Sequence, residues 1–62
     1  MIQSGDVLEL RGGKALKVLS GHTDSLVEGH LVVVEIDEDN NEISDPIDFK
    51  ITPSTPIIDI IR

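Results

Sequence analysis

The sequence predicts an all-β protein, a small five-stranded antiparallel barrel or strongly bent sheet, folded as a single small domain over residues 1–62. Three observations carry that expectation. The apolar residues are mostly Ile, Val and Leu, and β-branched side chains suit a pleated, half-buried ribbon. They recur at period two more than at period 3.6. Gly, Asn, Pro, Ser and Thr fall between the apolar runs, where turns need them. The expected strands are Asp6–Leu10, Lys14–Leu19, His30–Asp37, Ile43–Thr52 and Ile57–Ile61.

The first two strands form a hairpin over LELRGGKALKVL, Leu8 to Leu19. A two-residue Gly12–Gly13 loop would place Lys17 among leucines. A three-residue loop, Arg11–Gly12–Gly13, pairs Leu10 with Lys14 and Leu8 with Leu16, so that Leu8, Leu10, Leu16 and Val18 share one face. Gly13 then takes the third loop position, where a left-handed backbone is needed and glycine adopts it most cheaply. Register follows the buried face, which selects this loop. The Gly13-Lys14 pair does not make a phosphate-binding loop. Ala15 stands where Ser or Thr would bind magnesium, Leu8 stands where the first glycine belongs, and a strand follows instead of a helix.

The second hairpin is HLVVVEIDEDNNEISDPIDFKI, residues 30 to 51. A two-residue turn at Asn40–Asn41 uses the tolerance of asparagine for positive φ. It pairs Val34 with Ile47 and Val32 with Phe49, and puts Val32, Val34, Ile36, Ile43, Ile47, Phe49 and Ile51 on one face. Glu35, Asp37, Asp39, Glu42 and Asp48 fall on the other, with Asp39 and Glu42 opposite each other across the turn. Pro46 has no N–H, so its strand is an edge there, or bulged. One dry interior is expected to hold Leu8, Leu16, Val34, Ile47 and Phe49. Leu31–Val34 is apolar on both faces, which calls for a curled sheet or a second copy covering one side. The last strand, Ile57–Ile61, is short and apolar apart from Asp59. Such an edge invites pairing with another chain, so Ile57, Ile58, Ile60 and Ile61 are the expected edge of a homodimer.

Composition narrows the function classes. A chain of 62 residues buries only roughly 60% of the surface its unfolded form exposes, and without cysteine no disulfide braces it. The absence of cysteine fits a reducing compartment. No apolar run approaches the roughly 20 residues of a membrane span, and MIQSGD lacks the basic and apolar segments of a signal peptide. A cytoplasmic protein is the expectation. Twelve acidic residues against five basic ones give a formal charge of −7, which repels nucleic-acid phosphates. Phe49 is the only aromatic residue, so stacking platforms for single strands are lacking as well.

The chemistry-bearing residue types form no strong motif. Asp37, Asp39 and Asn41 match the first positions of a calcium loop. Glu42 then replaces the turn glycine, Asp48 replaces the terminal Glu, and helices are missing on both sides. His22, Asp24, Glu28 and His30 are metal-ligating types without an established spacing. Ser20, Ser25, His22 and Asp24 lie in one loop, with no scaffold for a nucleophile and its base. No cofactor, metal site or catalytic residue is expected, and the chain reads as a non-enzyme.

GDVLELRGGKALKVL, Gly5 to Leu19, resembles the opening of small SH3-like barrels of bacteria and phages, and of the related KOW-type barrels, in its Gly5-Asp6-Val7, Gly13 and Val18. The resemblance covers about a quarter of the chain. It departs from the KOW pattern at Ala15 and Leu16, where a further glycine is usual, and it lacks the basic surface of RNA-binding relatives beyond Arg11, Lys14 and Lys17. It implies an SH3-like barrel, with an OB-like barrel or an open-sheet dimer as the alternatives. The functional expectation is a non-catalytic protein-interaction module, a small bacterial or phage accessory protein. Its acidic face (Glu35, Asp37, Asp39, Glu42, Asp48) would dock on a basic surface of another protein, with a second copy of the chain as a further candidate partner. The alternatives are a structural subunit of a virion or larger assembly, held by the apolar strands, and a KOW-like nucleic-acid module using Arg11, Lys14 and Lys17.

Overall fold

The computed structural model describes residues 1–62, and the chain folds as five antiparallel strands in one sheet. They are β1 (Val7–Leu10), β2 (Ala15–Ser20), β3 (Gly29–Ile36), β4 (Ile47–Ile51) and β5 (Ile57–Ile61). Their order across the sheet is β4-β3-β2-β1-β5. Consecutive strands are neighbours until the last, which returns to the outside of β1. No helix is present, so none is long and apolar enough to cross a membrane.

The β1–β2 hairpin has the expected register. Leu8 pairs with Leu16 and Leu10 N–H donates to Lys14 carbonyl oxygen at 2.8 Å. Gly12 and Gly13 both hold positive φ, 98° and 91°, in the Arg11–Gly13 loop. Alternation from that pairing turns Leu8, Leu10, Leu16 and Val18 inward, and all four are buried. Leu31, Val33 and Ile51 complete the cluster with Ile2, while Phe49, Ile57 and Ile60 pack against it. Ile51 belongs to one edge strand, and Ile57 and Ile60 to the other. One core therefore reaches both edges, which requires the sheet to bend strongly. The short link between the edges helps, because Thr52–Thr55 is a tight turn with Thr55 N–H on Thr52 carbonyl oxygen and Pro53 at its second position. No ladder joins β4 to β5, so the sheet stays open.

The second hairpin departs from the expected register. β3 pairs Leu31 with Phe49, Val32 with Asp48 and Val33 with Ile47, one residue away from Val32–Phe49 and Val34–Ile47. A slip of one residue exchanges the faces of a strand. Leu31 and Val33 therefore join Phe49 and Ile51 on the core side. Val34 is fully buried, but outside the main cluster and on the side of Lys17, its partner in β2. Ile43 and Ile47 are 55% and 47% exposed, so they lie at the surface instead of in the interior.

The cause is at the turn. Its loop has three residues, Glu38, Asp39 and Asn40, closed by Asp37 N–H to Asn41 carbonyl oxygen at 3.0 Å and Asn40 N–H to Asp37 carbonyl oxygen at 3.1 Å. Only Asn40 takes positive φ, 65°. This loop needs one strained residue where the two-residue turn needs two, and most residues resist that region. Ile36 then faces Glu42. Past that bridge the second arm bulges over Ser44–Pro46 before the β4 ladder begins at Ile47. Pro46 has no N–H to offer there, and the Ser44 hydroxyl instead accepts Glu35 N–H at 2.9 Å.

Ile2 is the one core residue that lies outside the expected strands. It exchanges two backbone hydrogen bonds with Thr23, at 2.7 and 2.9 Å, and is completely buried. The Thr23 hydroxyl donates to Glu28 carbonyl oxygen and its side chain lies flat on Gly29, where an added Cβ would come within 2.8 Å of it. Asp6, the only buried polar side chain, accepts Gln3 N–H at 3.0 Å and lies 3.8 Å from Arg62. Arg62 also donates to Met1 carbonyl oxygen, so it ties the end of β5 to the residues before β1.

Candidate functional site

The acidic residues do not share one face. By strand alternation, Glu35 opposite Leu16 and Asp48 opposite Val32 fall on opposite sides of the sheet. That follows from the slipped register and corrects the single acidic face. What remains together is the turn. Asp37 opens it, Glu38 and Asp39 form its tip, and Glu42 stands opposite Ile36 on the returning arm. Asp39 lies in the loop, so it does not face Glu42.

Asp37 braces the turn. One Asp37 carboxylate oxygen accepts the N–H groups of Asp39 and Asn41, each at 2.9 Å. The Asn41 N–H bond is the main cause that holds the Asp37 carboxyl below its ordinary range. Loss of hydration opposes it, and the Asp39 N–H and the Asn41 side chain add to the lowering. Charge around the turn is otherwise unanswered. The two ion pairs of the chain are His30–Asp48 at 3.7 Å, well exposed, and Arg62–Asp6. Neither touches Glu35, Asp37, Glu38, Asp39, Glu42 or Asp45.

Beside this turn lies a concavity of about 550 Å³, between the two hairpin turns and β5. Its apolar lining includes Val7, Ala15, Ile36, Ile43, Ile58 and Ile61. Pairing explains the grouping, because Val7 faces Ile61 across β1–β5 and Ala15 faces Ile36 across β2–β3. Ile58 falls where the β1–β5 register shifts. Two sets of residues that are separate in sequence thus meet: Glu35 and Asp37 of the acidic segment, and Ile58 and Ile61 of the last strand. Asp39, Glu42 and Asp48 lie outside the lining, and Ile57 and Ile60 pack on the core instead. Val7 and Ala15 could have been found from the first hairpin, since they alternate with Leu8 and Leu16. Ile36 follows from the β2–β3 ladder and Ile43 from the second turn, and neither placement reads from the first hairpin.

The outer edge of β5 is partly closed. Leu10 bonds toward β2, so ladder alternation turns Leu8 the same way and aims Val7 and Glu9 at β5. Ile60, opposite Leu8, presents its N–H to the open side, and there the Asp59 carboxylate accepts it at 2.8 Å. Charges on an edge discourage strand addition.

Among the basic residues, Arg11 and Lys14 are exposed at the first turn, while Lys17 is half-buried between Val7 and Val34. No three His, Asp or Glu side chains gather as a metal-binding group. The chain matches no protein-family model, no curated protein and no solved structure.

Proposed function

We propose that this chain is a non-catalytic protein-interaction module, a cytoplasmic accessory protein of bacterial or phage type, that docks its acidic β3–β4 turn on a basic surface of another protein. The observation that carries this reading is the turn itself. Asp37, Glu38, Asp39 and Glu42 are held together by a hydrogen-bonded turn with no basic side chain of the chain paired to them. Crowded like charge opposes folding, and a basic partner relieves that repulsion while gaining orientation and rate of encounter. The resemblance of Gly5–Leu19 to SH3-like barrels and the bent five-stranded sheet support a scaffold of that type, a fold that serves many functions.

The test is capture from a bacterial lysate at low and high salt, with the wild-type chain and an Asp37→Lys/Asp39→Lys variant. The reading expects basic proteins held by the wild type at low salt, released at high salt, and absent from the variant. Identical capture by both chains would contradict it. The exposure of Ile43, Ile58 and Ile61 favours a second reading, a structural subunit of a larger assembly. That reading expects self-association that survives high salt.

A further inference from the structure

Resting on the acidic-docking reading, we propose that the concavity between the hairpin turns and β5 seats an amphipathic, basic segment of the partner. Apolar side chains of that segment enter the concavity, and its Lys or Arg residues meet the carboxylates at the rim. Three large exposed apolar side chains, Ile43, Ile58 and Ile61, converge here, at 55%, 61% and 45% exposure. Nearly buried Ile36 lies among them. The volume, about 550 Å³, lies within the range of pockets that enclose a ligand, about 300–1,000 Å³. An apolar anchor in such a pocket is how interfaces concentrate their binding energy.

Charge selects the occupant. Glu9, Asp37 and Glu38 border the concavity against Lys14 alone, while the Glu35 side chain alternates to the Leu16 side. A second copy of the chain would bring its own charge of −7 to this rim and be repelled. A purely apolar peptide would leave the carboxylates unanswered, and a nucleic acid would add phosphates to them. The Asp59 carboxylate on Ile60 N–H closes part of the adjacent edge, so side chains, not an added strand, hold the segment.

Three synthetic peptides of equal length test this by NMR titration of the 15N-labelled chain at low salt: one of Leu and Lys, one of Ser and Lys, one of Leu and Glu. The Leu/Lys peptide is expected to shift the amides of Val7, Ala15, Ile36 and Ile61 and to bind most tightly. Ile43→Ser/Ile58→Ser, at two exposed positions, should weaken it at least about tenfold while leaving Ser/Lys binding unchanged. Asp37→Lys/Glu38→Lys should weaken both. If the Ile variant binds Leu/Lys as well as the wild type does, and the charge reversal abolishes both, the anchor is overturned and acidic docking stands. Leu/Glu binding equal to Leu/Lys overturns the charge selection. Failure of every peptide overturns the anchor and the docking reading together. A concentration-dependent dimer abolished by Ile43→Ser/Ile58→Ser makes the second copy the occupant and overturns the proposal.

Discussion

The two hairpins of this chain turn through loops of the same length, closed by the same pair of backbone bonds, yet only the first reads directly from its residues. In β1–β2 the turn and the faces agree. Gly12 and Gly13 supply positive φ, and Glu9 and Lys17 separate Leu8 from Leu10 and Leu16 from Val18. One register satisfies both. In β3–β4 the faces are ambiguous, because Leu31–Val34 is apolar throughout and either parity buries two of its members. The decision passes to the backbone: one positive φ at Asn40 instead of two, an Asp37 carboxylate that accepts two loop amides, and a bulge before Pro46. Alternation specifies register only where one face is polar.

Substitutions can break this contrast. A chain of this length has a stability of about 3–9 kcal/mol, so single core residues matter. Leu31→Ala should cost about 2–5 kcal/mol, while Val32→Ala, half-buried on the other side, should cost about 1 kcal/mol or less, both by urea denaturation. Equal losses would blur the register. The turns come next. Gly13→Ala places a Cβ on a positive φ and should cost about 1–2 kcal/mol. Asn40→Gly, at the equivalent loop position, should be neutral or stabilise by up to about 1 kcal/mol, so the thermal midpoints should move in unlike directions. Ser44→Ala leaves Glu35 N–H without its partner and should cost about 1 kcal/mol, with faster hydrogen exchange at that amide.

The smallest effect is the pH response of the second turn. A carboxyl whose pKa is lowered on folding contributes stability above its unfolded pKa and loses it as pH falls through the lowered folded value. The Asp37 turn should therefore hold unchanged through neutral and mildly acidic pH and loosen only below the ordinary aspartate range. Amide shifts of Asp39 and Asn41 would follow that loosening, while Gly12 and Gly13 stay still.

Much of the fold was legible in the sequence, including five strands, a single sheet, the first register and a break in the ladder at Pro46. What escaped depended on long-range closure. Ile2 stands among polar neighbours, and its burial depends on Thr23 arriving beside it. The candidate site was legible as two lists of residues, one acidic and one apolar. Their meeting was not, because it takes the return of β5 to β1 and the ladders from β1 through β2 to β3 to bring Ile58 and Ile61 beside Asp37. The sheet's bend places those residues, and no local pattern encodes it.

The register of the second hairpin decides on which face Glu35 and Asp48 fall and which apolar residues enter the core, so it bears most of the account. Cross-strand nuclear Overhauser effects between β3 and β4 measure it directly. Contacts linking Leu31 with Phe49 and Val33 with Ile47 are the expected result. Contacts linking Val32 with Phe49 and Val34 with Ile47 would return the carboxylates to one face and contradict the separation of Glu35 from Asp48.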